Sequence, residues 1–394
     1  MNFELADRIK ELPPYLFDEI DKLKKKCISE GADIVNLGVG DPDLPTPEPI
    51  IKLMKTAIEN TVYHQYPSYR GEGFFRKDSA EYMKNRFGVE LEPETEVIVT
   101  IGSKEGIANF PQMLINPGDY ALIPEPCYPV LPTAVKFLGG KIHYLPLLEE
   151  NYFLPDYNNI PLDILKKSKL LYLNYPNNPT GAMATIEYLE GIIEFAIKNN
   201  IIILYDNAYS EVLFDGSNPL SILSIKGGKE CAIEFHSLSK IFNMTGWRIG
   251  FACANKKIID GFAKVKTNID SGAFAAIQEV AGQAITKHMD LLEGTLAIYR
   301  ERREIMRNAL TQCGLTYYNS KSTFYVWVKT PENYNSADFS TELLTKLHIV
   351  VTPGNGFGDS GEGYIRMSLT ASTENIKKAA ERLINDFKEK IKQD

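Results

Sequence analysis

Short apolar runs alternate with helical periods through the middle of the chain. The runs KLLYLNYP (169–176) and IIILYD (201–206) are typical of strands that are covered on both faces. Between them, residues 185–200 (TIEYLEGIIEFAIKNN) carry apolar side chains at helical spacing. The runs AIEFHS (232–237) and RIGFACA (248–254) predict two further strands. This order predicts βαβ units, and therefore an α/β fold whose mostly parallel sheet is flanked by helices.

The last third of the chain has a different pattern. Residues 291–312 predict a long charged helix, and the charge run YRERRE (299–304) within it predicts a solvated face. TFYVWVK (323–329) alternates like a half-buried strand. The remaining predicted elements are a helix near 338–346, strands at 348–352 and 364–370, and a closing helix at 373–392. Together they predict a smaller α+β domain.

The first 48 residues are expected to pack with this smaller domain. The proline-rich stretch GVGDPDLPTPEP (38–49) separates them from the first helix of the larger one. We therefore expect a large domain over residues 49–288 and a small domain that is built from both termini, residues 1–48 and 289–394.

Composition and charge narrow the classes of function. At 394 residues, with 44% apolar and 24% charged positions, the chain resembles an ordinary globular protein with a large core. The net charge of −8 disfavours nucleic acids and anionic membranes as partners. Five scattered cysteines without CxxC spacing indicate a reducing compartment. The N-terminus lacks the apolar run of a signal peptide, so we expect a cytoplasmic protein.

The most informative residue is Lys240, in the segment HSLSK directly after the AIEFHS strand. Asp206 ends the IIILYD strand 34 positions earlier. A lysine and an aspartate in this arrangement suit pyridoxal phosphate: the lysine forms a Schiff base with the cofactor aldehyde, and the aspartate keeps the pyridine nitrogen protonated. The two residues are therefore the first candidates for catalysis.

The cofactor's phosphate has candidate ligands in three segments. GSKEGIAN (102–109) follows the strand-like run EVIVTI and opens a helix, where backbone N–H groups and the Ser103 hydroxyl can bind phosphate. Ser237 and Ser239 flank the lysine, and Arg248 can add a planar cation. A glycine-serine helix start is by itself most often structural, so the prediction depends on the three segments together.

Side chains for the cofactor ring come from three further segments. Asn178 in NYPNNPTG (174–181) and Tyr209 can both donate to the ring oxygen, which would lower the pKa of the neighbouring imine. Tyr128 can stack on the ring face. The alternatives are that the asparagine segment is only a sharp turn and that both tyrosines are packing residues.

Arg366 is the candidate for substrate recognition. It lies among apolar residues in the run YIRMSLT (364–370), and a buried arginine is costly unless it is paired. A substrate α-carboxylate is the mobile partner that we expect, and an internal salt bridge is the alternative. The five histidines show no metal-ligand spacing, so no metal is predicted.

Taken together, the motifs NLGVGDPDLPTP, NYPNNPTG, YDNAYSE, HSLSK and MTGWRIGF resemble, in order and spacing, the class I/II aminotransferases of fold type I. The resemblance implies a homodimer with shared active sites, in which Tyr66 reaches the phosphate of the partner's cofactor and Lys104 lies beside cofactor and substrate. It implies further substrate contacts from Tyr15, Gly40 (through its backbone), Lys104, Tyr128, Asn178, Arg366 and, from the partner, Asn268.

Within the family, LPPYLFDEIDK, IGSKEGIAN, PLLEENYFLPD and FGDSGEGYIRMSLT are similar to the members that act on LL-2,6-diaminopimelate with 2-oxoglutarate. The resemblance therefore implies this substrate pair and a role in lysine biosynthesis. Alternatives are an aminotransferase of the same family for aspartate, alanine or aromatic amino acids, and a carbon–sulfur lyase on this fold. A non-catalytic ligand-sensing regulator would need an added DNA-binding module, for which the chain offers no helix-turn-helix.

Overall fold

The computed structural model describes residues 1, 3–10 and 18–391, so the predicted substrate contact of Tyr15 lies outside the described residues. The helices are α1 (Asp7–Lys10), α2 (Asp18–Ser29), α3 (Glu48–Ala57), α4 (Gly73–Phe87), α5 (Pro93–Glu96), α6 (Ser103–Asn109), α7 (Val130–Phe137), α8 (Leu162–Leu165), α9 (Ile186–Asn199), α10 (Gly228–Cys231), α11 (Leu238–Ile241), α12 (Lys256–Lys266), α13 (Ala275–Lys287), α14 (Leu292–Cys313), α15 (Ser336–Leu347) and α16 (Thr373–Lys390). In this described part, no helix combines the length and the apolar character needed to cross a membrane.

The strands form one large sheet and two small ones. They are β1 (Val35–Asn36), β2 (Val97–Thr100), β3 (Tyr120–Glu125), β4 (Lys141–Pro146), β5 (Ser168–Asn174), β6 (Ile202–Asp206), β7 (Ala232–Ser237), β8 (Gly250–Ala254), β9 (Tyr325–Lys329), β10 (Ile349–Val350), β11 (Thr352–Pro353) and β12 (Tyr364–Ser368). The large sheet has the order β2-β8-β7-β6-β5-β3-β4. Strands β4, β3, β5, β6 and β7 are parallel, and β8 is antiparallel to both of its neighbours. The predicted mostly parallel sheet is thus confirmed.

The register of this sheet positions the chemistry. Asn174 at the end of β5 pairs with Asp206 at the end of β6, and Asp206 pairs with Phe235 of β7. The carboxyl ends of these strands therefore meet at one edge, which is where open α/β sheets bind ligands. Strand β7 continues directly into the short helix α11, which carries Lys240 to the same edge.

The second group of strands carries Arg366. Strands β11, β12 and β9 form an antiparallel sheet with β12 in the centre, and Arg366 pairs with Trp327 and Thr352. Strand β1 pairs in parallel with β10, Val35 with Ile349, which connects the N-terminal segment to the C-terminal elements. The predicted single strand at 348–352 is divided, because β10 pairs with β1 and β11 pairs with β12. The proposed domain boundaries stay a prediction.

The prediction of a half-buried strand at 323–329 is wrong. Strand β9 is buried on both faces from Tyr325 to Val328, because Tyr325 and Trp327 contact Tyr209 and Tyr364 while the alternate valines join the main core.

The charge run on α14 is a solvated face only in part, because Glu301 and Glu304 are exposed and two of the arginines are not. Arg302 and Arg303 are buried, because the helical period turns them toward neighbouring elements. Arg302 forms a bidentate ion pair with Asp43 at 2.6 and 2.9 Å, and Arg303 stacks at 4.9 Å on the ring of Phe214. The two arginines thus belong to the interior of the molecule.

Candidate active site

Lys240 lies in a half-buried position at the carboxyl edge of the large sheet. Its Nζ donates to the backbone carbonyl of Gly40 at 3.3 Å. Burial lowers the pKa of this amine to about 8, an effect that nearby Asp41 opposes and that Arg366 and Arg248 reinforce. A lysine with a lowered pKa has a neutral, nucleophilic fraction near neutral pH, which Schiff-base chemistry requires.

Asp206 is a buried carboxylate without an ion-pair partner among the described residues. Its Oδ2 accepts from the Tyr172 hydroxyl at 3.2 Å, and its Oδ1 accepts from the backbone N–H of Ala208 at 3.3 Å. Burial raises the pKa of the Asp206 carboxyl to about 6, although both hydrogen bonds act in the opposite direction. A carboxylate held in this way is suited to a cationic ligand group.

Two of the predicted phosphate ligands, Ser103 and Arg248, lie at the start of α6. Gly102 has a φ of +73°, which favours glycine, and a Cβ there would displace the guanidinium of Arg248 from its present position. Arg248 donates to the carbonyls of Ile101 at 3.3 Å and Thr245 at 2.9 Å and remains exposed. The structure thus brings Arg248 to the segment that contains Ser103.

The two serines that flank the half-buried lysine are themselves buried. Ser237 Oγ accepts from the backbone N–H of Ser239 at 3.3 Å, which fixes the turn from β7 into α11. On another side of the predicted site, the Lys104 ammonium lies 5.8 Å from the ring centre of Tyr128. The cofactor and substrate roles of these residues stay predictions.

Arg366 is buried with only neutral hydrogen-bond partners. Its guanidinium donates to the side-chain oxygen of Asn178 at 2.9 Å and to the Gly38 carbonyl at 2.7 Å, and its Nε has no partner. The rings of Tyr325 and Phe357 lie 4.3 and 4.8 Å from it. Among the residues that the structure describes, no carboxylate forms an ion pair with Arg366, so the alternative of an internal salt bridge is wrong for this part of the chain.

Tyr209 is buried, and its hydroxyl lies 2.9 Å from the hydroxyl of Tyr325. Burial raises the pKa of the Tyr209 phenol well above its ordinary value, so the group is a neutral donor. It follows Asp206 by three residues, in the turn that leaves β6, and this short spacing brings both side chains to the same edge of the sheet.

Tyr66 and Asn268 are not joined to this group by any hydrogen bond or ion pair within the described part of the chain. Tyr66 is 89% exposed. Asn268 is also exposed, and its amide donates to the Lys264 carbonyl at 2.7 Å.

Three contacts in the site escaped the sequence reasoning. Tyr172 bonds Asp206, Tyr325 bonds Tyr209, and the carbonyl of Gly38 holds Arg366. For Tyr172 a signal existed, because the run that contains it lies next to the strand of Asp206 in a parallel sheet. Tyr325 comes from the other group of strands, so only the tertiary structure reveals it.

Comparison with known proteins identifies the family. The model of the family "Aminotransferase class I and II" matches residues 32–383. The chain therefore belongs to the class I and II aminotransferase family, which implies pyridoxal phosphate as cofactor. It is 52% identical to an LL-diaminopimelate aminotransferase of Aquifex aeolicus, over 97% of this chain and 99% of the relative. It is 51% identical to an LL-diaminopimelate aminotransferase of Halothermothrix orenii, over 97% and 98%.

Solved structures of the family have the same fold. The apo-BacF structure from Bacillus subtilis superposes with a TM-score of 0.92 at 37% identity, covering 98% of both chains. A mutant of Thermus thermophilus aspartate aminotransferase superposes with a TM-score of 0.90 at 29% identity, covering 97% of this chain and 99% of that one. The predicted fold class is confirmed.

Proposed function

We propose that this enzyme is a pyridoxal phosphate-dependent aminotransferase that exchanges an amino group between LL-2,6-diaminopimelate and 2-oxoglutarate. In the biosynthetic direction, tetrahydrodipicolinate and glutamate are its substrates, and the product supplies lysine biosynthesis. The relatives at 52% and 51% identity carry the substrate assignment. The observation that carries the reaction type is Arg366, a buried cation with an unpartnered Nε, near the Lys240 amine that its charge affects.

The side chains at the sheet edge fit pyridoxal phosphate. Asp206 is a buried carboxylate that lacks a cationic partner among the described residues, and Arg248 has an exposed guanidinium beside Gly102. Asp206 would hold the pyridine nitrogen, while Arg248 and the serines 103, 237 and 239 would hold the phosphate. When bound, the cofactor supplies an aldehyde for Schiff-base formation and a protonated ring that withdraws electrons from the substrate's α-carbon.

Lys240 is both the covalent anchor and the base. Its Nζ takes the proton from the α-carbon of the substrate, a task for which an amine with a pKa of about 8 is well matched near neutral pH. The Gly40 carbonyl, which accepts from Nζ at 3.3 Å, keeps the amine inside the site and sets its direction.

Arg366 binds the α-carboxylate at the reacting end of the substrate. Asn178 and the Gly38 carbonyl fix two of its nitrogens, and its planar guanidinium retains a free Nε edge for an anion. The Arg366 cation is buried in the free enzyme without an anionic partner among the described residues. The substrate carboxylate would supply that partner.

We propose that the enzyme is a homodimer with shared sites. Large apolar side chains are exposed in two segments of the chain, Ile58, Val62, Tyr66 and Tyr69 in the first and Ile269 in the second. The two segments are neighbours, because a Cβ at Gly272 would collide with the backbone of Ser68. An exposed apolar patch of this kind is typical of an interface, and a partner there would bring its Tyr66 and Asn268 toward this chain's site.

We place the enzyme in the cytoplasm. All five cysteines are free and buried, as is usual for proteins in a reducing compartment.

A panel of amino donors with 2-oxoglutarate tests the substrate assignment. A site that hydrogen-bonds the distal amino acid group of LL-diaminopimelate leaves those partners unpaired when the group is missing or inverted. We expect kcat/KM for lysine and for meso-diaminopimelate to fall by roughly 10²-fold or more relative to the LL isomer.

The panel also separates the alternatives. If aspartate, alanine or an aromatic donor gives a higher kcat/KM than LL-diaminopimelate, the substrate assignment is wrong and the aminotransferase assignment survives. Release of pyruvate and sulfide from cysteine-type substrates, with no amino transfer to 2-oxoglutarate, would instead indicate a carbon–sulfur lyase.

A further inference from the structure

Tyr325 occupies the centre of the candidate site although it belongs to neither set of predicted ligands. It begins β9, in the sheet that also carries Arg366, and it is buried. Its hydroxyl lies 2.9 Å from the Tyr209 hydroxyl and 3.4 Å from the Gly40 carbonyl, which also accepts from Lys240. Its side chain thus lies at the meeting point of the cofactor, base and carboxylate groups.

The ring of Tyr325 serves a second contact. The guanidinium of Arg366 lies 4.3 Å from the ring centre, a close cation–π distance. On the other side of the hydroxyl, a Cβ at Gly40 would collide with Tyr325, so the glycine makes room for this side chain. The position of Tyr325 is therefore constrained by the loop of Gly40, by Arg366 and by Tyr209 together.

The hydroxyl pair can take two directions. Either hydroxyl can donate across the 2.9 Å separation, and Tyr325 can also donate its single proton to the Gly40 carbonyl at 3.4 Å. If Tyr325 donates to Tyr209, the Tyr209 proton is free to point at the ring oxygen of the cofactor. A hydroxyl that accepts one hydrogen bond is also a stronger donor in the next, because the bonds polarise one another.

We propose that Tyr325 is a positioning residue with two separable parts: its hydroxyl orients and strengthens Tyr209 as a donor to the cofactor, and its ring holds Arg366 for the substrate carboxylate. This rests on the proposed function. The proposal links the two halves of the site through one side chain, because β9 carries Tyr325 and the neighbouring strand carries Arg366.

The pH titration of the bound cofactor's absorbance measures the first part. Donors to the ring oxygen lower the pKa of the neighbouring imine, so removal of a donor raises the midpoint pH. Tyr325→Phe should raise this midpoint by about half a pH unit or more, and by less than Tyr209→Phe does. The other titratable and charged groups around the two tyrosines, which all variants retain, are Arg366, Asp41, Asp206, Lys240 and Tyr128.

The combined variant distinguishes orientation from general disturbance. Because the effect passes through Tyr209, Tyr325→Phe should leave the midpoint unchanged when Tyr209 is already phenylalanine. Tyr318→Phe is the matched control: this half-buried tyrosine packs 4.9 Å from the ring of Phe153, away from the site residues, and its loss should not move the midpoint.

The second part of the proposal, the role of the Tyr325 ring in holding Arg366, is measured by the binding of glutarate to the holoenzyme. Glutarate is a dicarboxylate like the acceptor 2-oxoglutarate, so it offers a carboxylate to Arg366. Tyr325→Phe keeps the ring and should leave Kd within about threefold, while Tyr325→Leu removes the ring and should raise Kd about tenfold. If the leucine variant fails to fold, the phenylalanine variants still decide the first part.

The proposal is overturned if Tyr325→Phe leaves the midpoint pH unchanged, or if it shifts the midpoint equally in the wild-type and Tyr209→Phe backgrounds. The aminotransferase assignment stands in either case. A wild-type protein whose cofactor absorbance is insensitive to borohydride, and equal to that of Lys240→Ala, overturns both.

Discussion

Burial shifts the pKa values of the two central side chains of the site in opposite directions. It lowers the pKa of the Lys240 amine to about 8 and raises the pKa of the Asp206 carboxyl to about 6, so each group is brought closer to neutrality in the free protein. Both shifts cost stability, because the folded state holds charged groups in a place that disfavours charge. The cofactor would repay this cost by giving Asp206 a cationic partner.

Asp206→Asn should therefore stabilise the cofactor-free protein at neutral pH. The folded-state pKa is above the ordinary 3.8, so wild-type stability relative to the variant falls as pH rises from about 3.8 through about 6. We expect an advantage for the variant on the order of 2 kcal/mol at pH 7.5 that disappears near pH 3.5. Urea unfolding at the two pH values measures it.

The exposed carboxylate of Asp290 provides the control, because Asp290→Asn should change stability equally little at both pH values. If cofactor-free Asp206→Asn is less stable than wild type at pH 7.5, the interpretation of Asp206 as a buried carboxylate without a cationic partner is wrong. With cofactor present the order should reverse, since the variant loses the carboxylate that pairs with the pyridine nitrogen.

Helix α14 anchors the loop that carries Gly40. Arg302 on this helix forms its bidentate pair with Asp43 and also donates to the Leu369 carbonyl and the Thr373 hydroxyl, both at 3.1 Å. The sequence predicted the helix correctly but assigned its arginines to solvent. A helical period shows which residues share a face, but the pairing of that face with a loop 259 positions away is a tertiary fact.

Arg302→Met should destabilise the protein by about 3 kcal/mol, because it removes a buried guanidinium that bonds Asp43, Leu369 and Thr373, and leaves the Asp43 carboxylate without its charge partner. Removing that charge as well, in Arg302→Met with Asp43→Leu, should restore part of the loss. Urea unfolding of the cofactor-free proteins measures both.

Arg300→Met is the matched control on the same helix. Arg300 pairs with Glu293 at 3.1 Å in an exposed position, so its loss should change the free energy of unfolding by less than about 0.5 kcal/mol. If Arg300→Met and Arg302→Met destabilise equally, the arginine pair with Asp43 does not anchor the loop in the way described.

At the level of the whole fold, the sequence predicts most of what local pattern determines. The runs that end at Asn174, Asp206 and Ser237 predict parallel strands, and parallel strands bring their carboxyl ends together. The two residues that reach the site from the sheet of β9, β11 and β12 differ in how well the sequence predicts them. Arg366 could be predicted, because a charge among apolar neighbours is conspicuous, whereas Tyr325 could not, because a buried tyrosine in a strand is ordinary. Contacts between the two halves need the folded structure.

Tyr66 is 89% exposed in the single chain, which raises the question of whether it acts in the partner's site or in its own. A mixed dimer, in which one subunit carries Tyr66→Phe and the other carries Lys240→Ala, tests this. If Tyr66 acts across the interface, the subunit with the intact lysine receives an intact tyrosine from its partner, and that site is complete. The mixed dimer should then bind cofactor at one site with wild-type affinity and retain about half of the wild-type activity per dimer.

If Tyr66 acts within its own chain, the only lysine-bearing site lacks the hydroxyl, and its cofactor Kd should equal that of the Tyr66→Phe homodimer. Purification through two different tags isolates the mixed dimer, and Lys240→Ala homodimers give the background level of cofactor binding and activity.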